Sequence, residues 1–367
     1  NVILDSEGIC SLCRMHEASP RFQRPAAGKD ALLRVLTSRS PGEYHCVVAL
    51  SGGKDSSYAL FYMVRELGLK PLAVFADSGL VVDAAKKNIE RICERLSVDL
   101  VVHRARFRRR LAKEALYISK YRGDYFPVCP PCETNNRSVA IQEATKRGIP
   151  FIIWGASDFE DNALTFLDLG SPTMRQRYAK KADPAGMTPR LMARRLLQVT
   201  GLNIIYQTFK LPIPWHRKVH ATSHALIYLY YTIRNNLDVD VPEGWRRVLP
   251  NARVSFEGKS VETIYLYDYI PYDPYAFVAT LKKELDWQAP EGKESRMDCK
   301  LYALEAYKHL QRTGITKDGF TFSVLIRYSL MTRAEAKRKD EAIARDLLGN
   351  SERLLEELGV DKEGILP

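Results

Sequence analysis

The six residues Ser51 to Ser56, SGGKDS, constrain this chain more than any other stretch because of what flanks them. Before them, His45 to Leu50 (HCVVAL) is a short apolar run with the length of a buried strand. After them, SYALFYMVRELG has helical spacing and stops at Gly68. A strand that turns directly into a helix presents the helix's first amides, and the positive end of its dipole, at the turn. Gly52 and Gly53 permit that tight turn, Lys54 can neutralise oxygen charge, and Ser51 and Ser56 add hydroxyl donors. Asp55 has the wrong sign to touch a phosphate directly, so an Mg2+ ion bridging it to a pyrophosphate is the expected arrangement. The pattern is neither GxxxxGK[ST] nor GxGxxG. A plain glycine turn is the alternative, and it leaves the joint presence of Ser, Lys, Asp and Ser unexplained.

The alternation continues downstream. Pro71 to Ala76 (PLAVFA) reads as a strand, AAKKNIERICERL as a helix and Asp99 to Val102 as a third strand. The basic stretch RARFRRRLAKEALYISK becomes helical, GDYFPVCPPCETNNRSVAIQEATKRG sets a cysteine pair just before a helix, and IPFIIWGAS supplies a fourth strand. Such βαβ alternation predicts an α/β fold, a doubly wound parallel sheet. Farther on, MTPRLMARRLLQV and SHALIYLYYTIRN are helical, with KLPIPWHRK between them. TIYLYDYI reads as one short strand, and YAFVATLKKEL, DCKLYALEAYKHL and RAEAKRKDEAIARDLL read as helices. The expected organisation is a cysteine-containing segment over 1–30, a nucleotide-binding domain over 31–200 and a mainly helical substrate- or partner-binding region over 201–367.

With 46% hydrophobic and 27% charged residues among 367, the chain has the composition of a soluble globular protein. No stretch reaches the roughly 18 apolar residues of a membrane span. The start, NVILDSEGICSLC, lacks the basic-then-apolar order of a secretory signal, so a cytoplasmic location is expected. The first residue is Asn rather than Met, which predicts further residues upstream. Lys and Arg total 55 against 44 Asp and Glu, a formal charge of +11. That excess favours anionic partners without choosing between nucleic acid, nucleotide and phosphorylated sugar.

The SGGKDS loop, together with Asp77 after the second strand in FADSG, resembles the loop of the PP-loop ATP pyrophosphatases. These have an adenine nucleotide alpha-hydrolase-like fold, cleave ATP between the α and β phosphates, and adenylylate a carbonyl or amide oxygen before a nucleophile displaces AMP. The resemblance implies ATP and Mg2+ as cofactors and Lys54 and Asp55 as catalytic residues. It places Ser78 and Gly79 near the ribose and Asp77 and Gly155 among the nucleotide-binding positions. Asp77 reads equally well as a strand-end turn residue.

A longer set of phrases resembles the N-acetyl sugar amidotransferases of bacterial surface-polysaccharide synthesis: DSEGICSLC, HCVVALSGGKDSSYAL, GLKPLAVFAD, KKNIERIC, GDYFPVCPPC, IPFIIWGAS, YDYIPYDPY and MTRAEA. This implies conversion of an N-acetyl group on a nucleotide-linked sugar into an acetamidino group. The chain shows no glutaminase domain of its own, so a separate glutaminase subunit would supply the ammonia. After IIWG that family leads one to expect a glutamate-rich, glycine-containing segment, whereas here the sequence is GASDFEDNALTFLDLG. Asp158, Glu160 and Asp161 are candidates for holding Mg2+ or reading substrate hydroxyls, with Asp158 and Asp161 the catalytic candidates. A solvated acidic loop is the equal alternative.

Seven cysteines, an odd number with two short pairs, argue against a disulfide scaffold. Cys10 and Cys13 have the spacing of thiolates that share one metal, but a pair is half of a tetrahedral Zn2+ site. In the resembled family another pair tends to precede this one; His16 or the second pair are the other completions, and an unoccupied pair is the alternative. Cys129 and Cys132 flank two prolines at a helix start, where amides lower thiolate pKa values. The related tRNA-thiolating PP-loop enzymes hold a [4Fe-4S] cluster on a CxxC pair and one distant cysteine, a resemblance that makes Cys299 the third ligand. The chain would then be a sulfurtransferase that adenylylates a tRNA base or small-molecule carbonyl and takes sulfur from a donor. Zinc, redox or ordinary cysteines remain open for this pair. Cys46 and Cys93 lie on apolar faces and read as core thiols.

Arg104, Arg106, Arg108, Arg109 and Arg110 form the densest basic cluster, a phosphate clamp, an RNA-facing patch or a plain surface run. No RNP signature accompanies them. Lys210, His216, Arg217 and Lys218 are candidates for phosphate contact, and Trp215 for stacking on a base or sugar or for helix packing. A noncatalytic nucleotide-binding protein would keep the fold yet release no pyrophosphate. The oligomeric state, a homodimer included, stays open.

Overall fold

A computed structural model describes residues 27–39, 42–104, 129–155, 261–289 and 298–366 except 328 and 364, with isolated positions elsewhere. Helix α1 (Lys29–Thr37) precedes strand β1 (Cys46–Leu50), and α2 (Lys54–Phe61) continues through a π turn at Tyr62–Glu66. Then come β2 (Pro71–Asp77), α3 (Asp83–Leu96), β3 (Leu100–Arg104), α4 (Cys129–Lys146), β4 (Phe151–Trp154) and β5 (Glu262–Tyr265). The carboxyl-terminal part holds a 3-10 turn (Leu266–Asp268), α5 (Pro274–Leu285), α6 (Tyr302–Thr313), α7 (Lys317–Arg327) and α8 (Arg333–Leu358).

The five strands form one sheet in the order β3-β2-β1-β4-β5, and every pairing is parallel. Val48 stands opposite Ala73 on one side and Ile153 on the other. The short strand read in TIYLYDYI is β5, which extends this same sheet by pairing Ile264 with Ile153.

Parallel sheets are covered on both faces, so their strands carry apolar side chains in both directions. Cys46, Val48 and Leu50 join Ala73, Phe75, Phe151 and Ile153 in a core with α1, α2, α3 and α5, through Leu36, Leu60, Ile89 and Leu281 among others. The alternate residues Val47, Leu72, Val74 and Ile152 pack against Val139, Ala140 and Ala144 of α4. This is why HCVVAL and PLAVFA show no polar alternation. The two core cysteines are sealed: burial pushes the Cys46 thiol up to about 12, and burial, aided by Glu94, does the same to Cys93.

The helices follow from local signals. Ala85, Ile89, Ile92, Cys93 and Leu96 repeat at helical spacing along the buried side of α3, and Ser97 ends it in the left-handed conformation. Asp273 caps α5 by accepting from the Tyr275 and Ala276 amides, with Pro274 in the first turn. In MTRAEA, Thr332 caps α8 by accepting from the Glu335 amide, so this phrase reads physically as a helix start. Among the described residues no helix is long and apolar enough to cross a membrane.

Candidate functional site

All strands end on one edge of the sheet, and β1 lies between β2 and β4. The chain leaves β1 toward β2 but reaches β4 by crossing back from β3, so β1 and β4 flank the point where strand order reverses. In open α/β sheets the crevice beyond the strand ends at this point is where ligands bind. Ser51, Gly52 and Gly53 occupy it, between Leu50 of β1 and Lys54 of α2.

Two glycines are required here by close approach. Gly52 has φ 81°, and a Cβ on it would lie 2.3 Å from the Ala85 carbonyl oxygen in the first turn of α3. Gly155, just past β4, lets the chain pass the start of α2: its Cβ would lie 2.9 Å from the Asp55 carbonyl oxygen. The helix starts of α2 and α3 and the end of β4 thus meet around one turn.

Inside the turn the serines are tied together. Ser56 Oγ accepts from the Ser51 amide at 3.1 Å and lies 3.2 Å from Ser51 Oγ, which accepts from the Gly53 amide at 3.3 Å. Lys54 Nζ bonds Asp55 Oδ2 at 2.8 Å, both side chains being largely buried, and it stands 6.0 Å above the Tyr272 ring. Tyr267 donates to the Asp55 carbonyl at 3.0 Å. At the end of β2, Asp77 Oδ1 accepts from the Gly79 amide at 2.9 Å while its other oxygen lies 3.4 Å from Lys86 Nζ. The turn role foreseen for Asp77 is therefore present. Ser78 is buried, and its Oγ accepts from the Leu80 amide at 3.3 Å.

Tyr267 had no local signature, and neither did two further contributors. Trp287, following α5, donates its indole N–H to the Gly52 carbonyl at 3.1 Å. Asp298 brings a carboxylate to within 3.7 Å of where a Gly53 Cβ would stand. Residues 298–300 are held by backbone bonds from the Val82 amide to Asp298 at 3.0 Å and from the Lys300 amide to Leu80 at 2.7 Å. Val81 and Cys299 form an antiparallel bridge, so Cys299 sits beside the turn that follows β2, its half-buried side chain packed on the Leu80 and Leu301 cluster. Only tertiary structure joins these distant stretches to the loop.

Cys129 and Cys132 stand in the first turn of α4, and their side chains lie outside the described residues. Farther along α4, the Arg137 guanidinium stacks 4.9 Å from the Trp154 ring and donates to Tyr265 Oη at 3.0 Å, joining the ends of β4 and β5. His103 Nε2 lies 2.9 Å from the buried Glu143 carboxylate, which also bonds Arg147. Burial, with Lys146 and Arg147 close by, holds this imidazole below its ordinary range despite the carboxylate contact. Phe209 meets the exposed Trp215 edge-on at 6.0 Å, with Lys218 Nζ 5.8 Å above the Phe209 ring. Cys10, Cys13, His16, Arg106, Arg108, Arg109, Arg110, Asp158, Glu160, Asp161 and Arg217 lie outside the described residues.

The donor set can be weighed against the groups the sequence implies. Helix-start amides, two hydroxyls and a lysine around a glycine turn fit a phosphate chain. Mg2+ commonly takes one or two carboxylates and completes its shell with phosphate oxygens and water, a set to which Asp55 would contribute one carboxylate. Among the described residues no three His, Cys, Asp or Glu side chains gather to hold a metal unaided.

No family model matches the chain. A stretch of 103 residues, 27% of the chain, is 33% identical to an uncharacterized protein of Methanocaldococcus jannaschii and covers 37% of that protein. The chain thus spans little over a third of the curated relative it matches. Its five-stranded all-parallel sheet, flanked by helices and followed by a helical carboxyl-terminal part, is compatible with a Rossmann-like α/β fold.

Proposed function

We propose that this chain is an ATP-dependent enzyme that adenylylates an acceptor oxygen with release of pyrophosphate, and that it does so as an amidotransferase on the N-acetyl group of a nucleotide-linked sugar. The observation that supports this reading is the SGGKDS turn at the strand-order reversal, with the α2 amides, both serines and Lys54 around it. The acetamido oxygen attacks the α phosphorus, the bond to the β-phosphate oxygen breaks, and pyrophosphate leaves. Ammonia from a separate glutaminase subunit then adds to the activated carbon, and AMP departs with the original oxygen. Lys54 and the α2 amides stabilise the charge that grows on the leaving pyrophosphate, the type of electrostatic stabilisation that dominates such reactions. Asp55 would hold Mg2+, which supplies charge neutralisation on the phosphates. Ser78 would face the ribose, and Asp77 would lie among the nucleotide-binding positions. A cytoplasmic location suits a reaction that consumes ATP and a nucleotide-linked sugar, and Zn2+ at Cys10 and Cys13 would be structural.

A second reading, sulfur transfer to a tRNA base or small carbonyl, draws on the position of Cys299 beside the turn after β2. With Cys129 and Cys132 it would bind a [4Fe-4S] cluster, which supplies sulfide to the activated carbon. Product mass separates the two. Incubation with ATP, Mg2+, ammonium and a nucleotide-linked N-acetyl sugar should yield AMP, pyrophosphate and an acceptor in which NH replaces O. Replacement of O by S, with iron and acid-labile sulfide in the protein, selects the second reading. Release of ADP and phosphate contradicts both.

A further inference from the structure

The phosphate loop is braced from outside by the segment that follows α5. Trp287 is buried, and its indole N–H bonds the Gly52 carbonyl at 3.1 Å. The segment is fastened to α3 on either side of this tryptophan. Asn88 exchanges two bonds with Gln288, Nδ2 to the carbonyl at 2.8 Å and Oδ1 from the amide at 3.0 Å. Arg91 donates to the Asp286 carbonyl at 2.7 Å. The same α3 brings its Ala85 carbonyl so close to Gly52 that no side chain fits there.

The described peptides are all trans, so the Gly52 carbonyl and the Gly53 N–H point in opposite directions within their shared plane. Fixing the carbonyl on Trp287 therefore turns the Gly53 N–H inward, where it reaches Ser51 Oγ at 3.3 Å, itself 3.2 Å from Ser56 Oγ. A continuous hydrogen-bonded chain runs from the indole through the central peptide of the turn to the two hydroxyls, and bonds in such a chain polarise one another. Glycine peptides flip easily because both signs of φ are accessible to them. An unbraced Gly52–Gly53 peptide would present its carbonyl, rather than its amide, to a phosphate in a fraction of molecules.

We propose that Trp287 is a positioning residue for this loop: it locks the Gly52–Gly53 peptide with its N–H facing the phosphate site and so sets affinity for the polyphosphate ligand. The inference rests on the ATP-binding reading for the identity of the ligand, while the locking of the peptide does not depend on it.

The test compares wild type, Trp287→Phe, Asn88→Ala and the core variant Leu281→Ala in the full chain. Trp287→Phe keeps an aromatic ring and removes the donor. Amide hydrogen exchange over residues 51–56 without ligand should accelerate about tenfold, and the Kd for Mg·ATP should rise about tenfold, as expected for one lost buried hydrogen bond. Asn88→Ala, which unfastens the segment without touching Trp287, should move both quantities in the same direction by less. Leu281→Ala should lower Tm and leave ATP affinity in the folded protein unchanged, which separates positioning from general packing. Unaltered loop exchange and affinity in Trp287→Phe overturn the inference, as does an affinity loss in Leu281→Ala equal to that in Trp287→Phe. If the wild type binds no ATP while Trp287→Phe still loosens the loop, the locking stands and the ATP reading falls.

Discussion

The sheet and the three helices α6–α8 both bury apolar side chains, but they treat polar groups differently. In the sheet, the interior on both faces is almost wholly apolar, and polar groups are concentrated at the edge where the strands end. Between the helices, polar side chains go inside in matched pairs. Tyr302 donates to Asp318, Thr316 Oγ to Asp340, and Lys317 Nζ lies 3.0 Å from Glu305, while within α8 Ser351 donates to the Leu347 carbonyl at 2.6 Å. Thr316, Lys317, Asp318 and Ser351 are all buried. Apolar packing supplies a rigid platform and leaves polar groups to the strand ends. Paired polar groups cost more to desolvate but fix one helix register against another, since any slip leaves a buried charge or hydroxyl unsatisfied. On the proposed reading, chemistry falls to the edge of the sheet and alignment to the interior of the helices.

The sharpest way to break this comparison is Gly52→Ala. A side chain there meets the Ala85 carbonyl at 2.3 Å from a backbone with φ 81°, and should cost roughly 3 kcal/mol or more while abolishing ATP binding. Denaturant melts and equilibrium binding check it; a stable, binding-competent variant would remove the turn from its role. Next, Leu60→Ala empties a fully buried position on α2 beneath the sheet and should cost about 2–5 kcal/mol in the same melts. Tyr302→Phe leaves the buried Asp318 carboxylate without that donor and should cost about 1–3 kcal/mol. It should leave the Kd for ATP unchanged, which sharpens the division between alignment and chemistry.

The smallest effect concerns pH. Because the fold holds His103 below its ordinary range, the unfolded chain takes up the proton more readily. Stability from this site is complete above about pH 6.5, the unperturbed value, and declines as pH falls through the lower folded value. Melts between neutral and mildly acidic pH should show wild type losing more stability than His103→Gln. An equal loss would mean that the imidazole does not titrate out of range.

Strands β1, β2 and β4 were legible because burial on both faces leaves unbroken apolar runs, and β1 carries its glycine turn and helix directly behind it. The start of α4 was legible as well, since prolines are tolerated in a first helical turn. The position of β5 in the sheet was not. ETIY is half exposed and gives no clue that Ile264 will stand beside Ile153. Nor could spacing show that Trp287, Tyr267 and Asp298 reach the loop, because each arrives by a tertiary contact with residues far away in sequence. Asp77 showed both sides of the matter: its turn role follows from Asp followed by Ser-Gly, while its neighbour Lys86 enters only once α3 is placed.

The most direct test of the central claim is titration of Mg·ATP into wild type and Lys54→Ala, with the reaction products then separated. Binding of ATP by the wild type, weakened about tenfold or more by the loss of the lysine, and acceptor-dependent release of AMP and pyrophosphate are the predicted results. Equal affinity in the two proteins, or cleavage to ADP and phosphate, would contradict the account.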